Sequence, residues 1–186
     1  MRVDEAIVGR RTVRSYTRRE VDHAVILRLV DAAIHAPSAM NEQPWAFAVI
    51  RDQNLLGELS SRAKRHTLET LSAGSNSDPY RKHLVDPKFN IFYDAPVLVL
   101  ICAKRAGAWI AEDCALAAEN LMLTAFAEGL GSCWVGFAQG YLQLAEGKAL
   151  AGIPQEWVPA APIIVGHPSV RPDAVPRREP TMLWVG

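Results

Sequence analysis

An excess of charge of either sign is missing from this chain: 20 basic and 20 acidic residues cancel to a formal net charge of +0. No global field therefore draws it to nucleic acid or to an anionic membrane, and any electrostatic function must be local. Long apolar runs are missing too. The longest, Ala95 to Ala103, falls far short of the roughly 20 residues that a spanning helix needs and reads as a buried strand. Cysteine is scarce, with only Cys102, Cys114 and Cys133. Three is an odd number, the spacing is unpaired and each context is apolar, so no disulfide is expected and reduced core thiols in the cytosol are. The segment Met1 to Glu5 is charged at once and lacks the apolar core of a leader, so export is not expected and a cytoplasmic location is. Low-complexity tracts and internal repeats are absent. The histidines His23, His35, His66, His83 and His167 have no ligand spacing with the cysteines, so no metal site is expected.

What is present is ordinary globular material: 186 residues, 49% hydrophobic, 22% charged. A chain of this length buries about 70% of its unfolded surface and is most simply one domain, residues 1–186. Thr17-Arg18-Arg19-Glu20 matches a capping box, which predicts a helix starting near Arg18. Apolar residues at Val21, Val25, Leu29, Ala32 and Ala33 keep one stripe for the core, and Pro37 forces the exit. Trp45 to Ile50 reads as a strand, Leu55 to Arg65 as a short helix and Val97 to Ala103 as a second strand. Ser72 to Pro79 is rich in breakers and reads as a loop, followed by scattered aromatics Tyr80, Phe89, Phe92 and Tyr93. Ala111 to Glu128 predicts a long buried helix with Gly129 at its left-handed end. Ser132 to Phe137 and Ala160 to Val165 complete four strands, and the tail, punctuated by Pro168, Pro172, Pro176 and Pro180, must run extended. The prediction is one α+β layer structure.

Several familiar motifs fail. Gly129-Leu130-Gly131 opens a dinucleotide pattern, but Trp134 occupies the position of its last glycine and the order is helix then strand. No Walker lysine loop appears, and neither Cys114 nor Cys133 has a nucleophile signature around it. Two basic groups stand out instead. Arg10-Arg11-Thr12-Val13-Arg14 places three guanidinium groups and a hydroxyl within five positions, enough to surround one phosphate dianion, or equally to form a solvated basic face. Arg177-Arg178 lies in the tail, where a loose basic end is the plainer reading. Between the first long helix and the first strand, Pro37-Ser38-Ala39-Met40-Asn41-Glu42-Gln43-Pro44 is more heavily specified than a connector requires.

In this order, the pieces resemble the nitroreductase family of flavin enzymes. They are Arg10 to Arg14; Ala36-Pro37-Ser38-Ala39-Met40-Asn41-Glu42-Gln43-Pro44-Trp45; Asp94-Ala95-Pro96; Ala118-Glu119-Asn120-Leu121-Met122-Leu123; Gly129-Leu130-Gly131-Ser132-Cys133-Trp134-Val135-Gly136; and arginine in the tail. The resemblance implies a nitroreductase-like fold, a central mixed β-sheet flanked by helices with the extended C-terminal tail packing on a partner subunit. It also implies a homodimer with FMN at the subunit interface and NADH or NADPH as electron donor. By position, Arg10, Arg11, Thr12 and Arg14 would hold the phosphate and ribityl chain, joined by Arg178 and Arg177. Pro37, Ser38 and Ala39 would approach the flavin bound mainly by the other subunit, while Asn41 contributes to the pocket or ties the loop together with Gln43. Trp134, Val135 and Gly136 would lie along the ring, where a backbone amide reaches N5 or O4.

The implied activity is ping-pong transfer of electrons through FMN to a nitroaromatic, quinone or activated alkene, with no separate catalytic side chain. A specialised relative performing dehalogenation or ring oxidation, and a non-enzymatic flavin-binding protein, are the alternatives. Neither nucleic acid nor membrane is an expected partner. Two departures stand out: Glu119, where the family often has glutamine, and the segment 62–92, which matches nothing recognisable.

Overall fold

Two of the strands are apolar at nearly every position, so the sheet they form must be covered on both faces. The computed structural model describes residues 1–71 and 80–186. Strands β1 (Trp45–Ile50), β2 (Val97–Ala103), β3 (Gly131–Trp134) and β4 (Val158–Gly166) stand in the order β1-β2-β4-β3, each neighbouring pair antiparallel. Every residue of β2 is buried. Its side chains alternate faces, as a strand's must. Val97, Val99 and Ile101 join a core under α2 (His23–Ile34) and α5 (Ile110–Ala127), while Leu98, Leu100 and Cys102 join a second core under α3 (Gln53–Thr70) and α6 (Gly136–Gln143). The α+β architecture with a helix-flanked sheet is thus as expected. Among the described residues, parallel pairing is confined to an isolated bridge between Thr12 and Ser132.

Among the described residues, three short α-helices, α1 (Val3–Gly9), α4 (Arg81–Leu84) and α7 (Ala145–Leu150), and a single 3-10 turn at Ala39–Asn41 complete the order. Strands β1 and β2 have the predicted limits, and α5 differs from its predicted span by one residue at each end. It closes with Gly129 at φ 78°, and Leu130 N–H returns to the Ala125 carbonyl at 2.8 Å, which satisfies an orphan acceptor of the last turn. The first long helix does not begin at the capping box. Thr17 N–H donates to the His167 carbonyl at 2.9 Å, continuing an extended segment, and Glu20 pairs with Arg51 at 3.1 Å. The cap is Asp22, whose Oδ1 accepts from Ala24 N–H at 2.9 Å. Helix α3 runs past its predicted end, and β3 stops at Trp134 because α6 begins two residues later. The predicted loop from Ser72 to Pro79 lies outside the described residues. Residues 169–186 are exposed and carry no helix or strand. Among the described residues no helix is long and apolar enough to cross a membrane.

Candidate functional site: two arginine-bearing pockets

Residues 10–17 leave α1 as an extended segment laid against β3 and the start of the tail. Val13 N–H donates to the Ser132 carbonyl at 3.0 Å, and Tyr16 bridges to Pro168. The approach is so close that a Cβ on Gly131 would stand 2.6 Å from Val13 Cγ2, so glycine is required there.

This segment distributes its arginines between two cavities. Arg10 and Arg11 line one of about 200 Å³, with Arg171 from the tail and an apolar floor of Val13, Phe126 and Leu130. Arg11 is steered by its neighbours: Nη1 donates to the Val8 carbonyl at 2.6 Å and Nε to the Asp173 carbonyl at 3.3 Å. Arg10 Nε is buried without a hydrogen-bond partner, although Glu119 Oε1 lies 3.4 Å away. Thr12 is exposed.

Arg14 lines the second cavity, of about 250 Å³, together with Trp134, Val135 and Gly136. Those four predicted residues therefore meet in one place. The β3–α6 junction gives this cavity its chemistry. Val135 N–H is committed to the Pro162 carbonyl at 2.8 Å, so it is not the donor to a ligand. Gly136 and Phe137 open α6, where the first N–H groups have no intrahelical acceptor and the helix dipole favours electron-rich atoms. A Cβ on Gly136 would meet nothing within 4 Å, so the backbone there faces open space.

Tyr80, Tyr93, Cys133 and Phe137 complete the wall. Sequence reasoning did not assign these four to a site. Cys133 and Phe137 flank the predicted Trp134 to Gly136 stretch and Tyr93 precedes Asp94-Ala95-Pro96, whereas nothing local marks Tyr80. Burial raises the pKa of the Cys133 thiol and of the Tyr93 phenol, and the Arg14 guanidinium partly opposes both shifts. Arg171 is the other unanticipated member, and its only signal was its place in the proline-spaced tail.

Pro37, Ser38, Ala39 and Asn41 line neither cavity. Their loop is anchored at the start of α5, where buried Asp113 accepts from Ala39 N–H at 2.9 Å. Ser38 Oγ accepts from Gln43 N–H, and Gln43 Nε2 donates to Asn41 Oδ1, each at 3.0 Å, so Asn41 does tie the loop internally. Met40, Asn41 and Gln43 all have positive φ, 51°, 55° and 47°. Such strain in non-glycine residues gathers where a loop must present itself to something. Arg177 and Arg178 are exposed, beyond Asp173, the last residue of the tail that bonds to the body among the described residues.

The model of the nitroreductase family matches residues 7–167. A protein of Methanothermobacter thermautotrophicus, carrying the provisional name NADH dehydrogenase/NAD(P)H nitroreductase, is 31% identical over 177 residues, covering 92% of this chain and 80% of the relative. An iodotyrosine deiodinase of Thermotoga neapolitana is 27% identical over 66% of this chain and 67% of its own. Among solved structures, a nitroreductase with bound FMN from Bacteroides fragilis superposes with a TM-score of 0.82 at 26% identity, over 99% of this chain and 100% of that one.

Proposed function

The chain belongs to the nitroreductase family, and from that premise we propose that it is an FMN-dependent oxidoreductase that passes electrons from NADH or NADPH to a nitroaromatic, quinone or activated-alkene acceptor. The observation that carries this reading is the second cavity, where one guanidinium, the open start of a helix and the Trp134 side chain converge. These groups fit a flavin. Gly136 and Phe137 offer N–H donors, and Arg14 offers positive charge to an electron-rich ring edge. The Nε of Arg10, buried without a hydrogen bond and facing only Glu119 at 3.4 Å, fits the phosphate end. When bound, FMN supplies the two-electron relay between nicotinamide and acceptor.

The protein's own tasks are then to bind, orient and exclude water. Arg10 and Arg11 anchor the anionic end, with Arg177 and Arg178 approaching from the tail, and Thr12 adds a hydroxyl. Trp134 and the aromatic walls present flat apolar surface, against which the donor and then the acceptor lie in the same space. Sharing one place in turn gives ping-pong kinetics. A homodimer completes the pocket. Apolar Val3, Ile7 and Val8 on α1 and Met182 to Val185 in the tail are all exposed in the single chain, an arrangement that calls for a covering surface. Pro37, Ser38 and Ala39 reach the cofactor of the other subunit, which accounts for the strained loop. Three buried thiols suit the cytoplasm.

A second reading keeps the cofactor and changes the acceptor to a halogenated aromatic, supported by the likeness to iodotyrosine deiodinase and by the edge-on pair of Tyr80 and Phe137, 5.7 Å between centroids. The test is the visible spectrum after loading with FMN and desalting, followed by anaerobic NADH and then NADPH. A retained yellow colour bleached by either nucleotide supports the reading, and adding a nitroaromatic or a halotyrosine to the bleached protein chooses between acceptors. A colourless protein, or colour that neither nucleotide bleaches, overturns it.

A further inference from the structure

The second cavity is walled by a segment that the molecule holds with unusual care. Lys64 of α3 is buried, and its Nζ donates to the carbonyls of Asp86 at 2.9 Å and Phe89 at 2.6 Å. Ser60, buried beside it, accepts from Ile91 N–H at 3.1 Å. These contacts pin residues 86–91 to α3. Asn90 then shapes residues 92–94: its Oδ1 accepts from Phe92 N–H at 2.9 Å, its carbonyl from Tyr93 N–H at 2.9 Å, and its Nδ2 donates to Asp94 Oδ1 at 2.8 Å.

The result is a pair of non-glycine residues in the left-handed region, Tyr93 at φ 53° and Asp94 at φ 54°. Two such residues in succession are strained, and persist only where the surroundings over-determine them. What they achieve is the direction of one side chain. The Tyr93 ring is braced edge-on by Phe89, with centroids 5.6 Å apart, and its phenol lines the cavity beside Arg14. The guanidinium shares that cavity with the phenol and the Cys133 thiol, and its charge works against the upward pKa shift that burial gives each of them. Arg14 itself is exposed and has no carboxylate partner among the described residues. A long side chain with that freedom points nowhere in particular unless something holds it.

We propose that Tyr93 is a positioning residue, whose phenol fixes the Arg14 guanidinium toward the ring-binding end of the cavity and so tunes how strongly the site favours reduced over oxidised flavin. The inference rests on the flavin reading of that cavity. Bracing from Asn90, Phe89 and Lys64 places the phenol, the phenol places the cation, and a fixed cation stabilises negative charge better than a mobile one because it needs no reorganisation.

Two measurements test it. In the FMN-free protein, a urea double-mutant cycle of Arg14→Met and Tyr93→Phe reads whether the two side chains touch. Contact makes the double variant's unfolding constant depart from the product of the single effects by at least about twofold. In the FMN-loaded protein, Tyr93→Phe keeps FMN but lowers the preference for the reduced form about fivefold, equivalent to a midpoint potential about 20 mV lower for a two-electron couple. Loss of that shift in an Arg14→Met background identifies the guanidinium as the intermediary. An additive cycle, or a Tyr93→Phe potential equal to wild type, overturns the positioning role while leaving the flavin reading intact. A wild-type protein that retains no FMN overturns the flavin reading first, and this role with it.

Discussion

Arg10 Nε lies 3.4 Å from Glu119 Oε1, close enough for an ion pair yet without a hydrogen bond. The pair joins the extended segment after α1 to the outer face of α5, at the edge of the cavity that Arg10 shares with Arg11 and Arg171. Glu119 is therefore neither simply solvated nor fully paired. Its carboxylate competes with any anion that Arg10 holds.

Glu119→Gln should tighten FMN. Removing one negative charge beside the phosphate end relieves a competition in which each surface ion pair is worth about 0–1 kcal/mol, which amounts to at most about a fivefold fall in Kd. Fluorescence titration of the FMN-free protein reads the change. An unchanged or weaker affinity would mean that Glu119 orients Arg10 rather than competing for it.

The loop at residues 37–43 depends on one buried carboxylate. Asp113 accepts from Ala39 N–H and sits in the first turn of α5, where negative charge also complements the helix dipole. Asp113→Ala leaves that N–H without its partner, at a cost of about 1–3 kcal/mol, and frees a loop in which three residues have positive φ. The urea midpoint should fall accordingly, and amide exchange at Ala39 should quicken well beyond that of β2. Equal protection in the variant would show that the Ser38 and Gln43 contacts suffice.

How much of this was legible in the sequence depended on whether a segment's partners are near or far along the chain. β2 could be delimited because a strand buried on both faces leaves an uninterrupted apolar run, and β1 because all six of its residues are apolar even though Val49 is exposed. Likewise, α5 announced itself by alanine and leucine and by the glycine at its end. The capping box at Thr17 misled because it is a local pattern, whereas the fate of the Thr17 N–H is decided by His167. α6 was hidden by starting at Gly136 directly after a strand, with Gly140 inside it. In the site, Arg14 lines one cavity with the Trp134 to Gly136 stretch, whereas the resemblance implied that it would stand with Arg10 and Arg11 at a phosphate. The separation of Arg14 from Arg10 and Arg11 could not be read from their spacing, because it comes from the pairing of Val13 with Ser132. Tyr93 was noted only as a scattered aromatic, since its importance comes from a backbone conformation set by Asn90 and α3.

The tail offers a direct test of the proposed dimer. Val175, Met182, Leu183, Trp184 and Val185 are each at least 60% exposed in the single chain, more apolar surface in one strip than a free end ordinarily carries. Truncation before Val175 also removes Arg177 and Arg178. It should lower the apparent mass toward that of the monomer in sedimentation, or release FMN on desalting. A truncated protein that remains a dimer and stays yellow would show that the tail serves neither purpose.

The cysteines give the stability a pH dependence whose sign is set by burial. Burial pushes the Cys102 thiol up to about 12, with the neighbouring Cys114 adding to the shift, and pushes Cys114 up to about 11, with Asp113 adding to it; the ordinary value is 9.0. Above pH 9 the unfolded chain releases these protons while the folded one keeps them, so the folded state binds more protons and stability declines as pH rises. Below pH 9 both states are protonated, and these thiols contribute no dependence. The urea midpoint should therefore drop between about pH 9 and 11, and the drop should be shallower in a Cys102→Ala, Cys114→Ala variant, where other titrating groups remain as the common background. Native protein at pH 8 should also react slowly with a thiol reagent, since thiolate is the reactive form. Cys133, which lines a cavity and whose upward shift Arg14 partly opposes, should account for the earliest labelling, so that Cys133→Ser removes that phase. Early labelling that survives Cys133→Ser would place the accessible thiol in the core instead and contradict this order of reactivity.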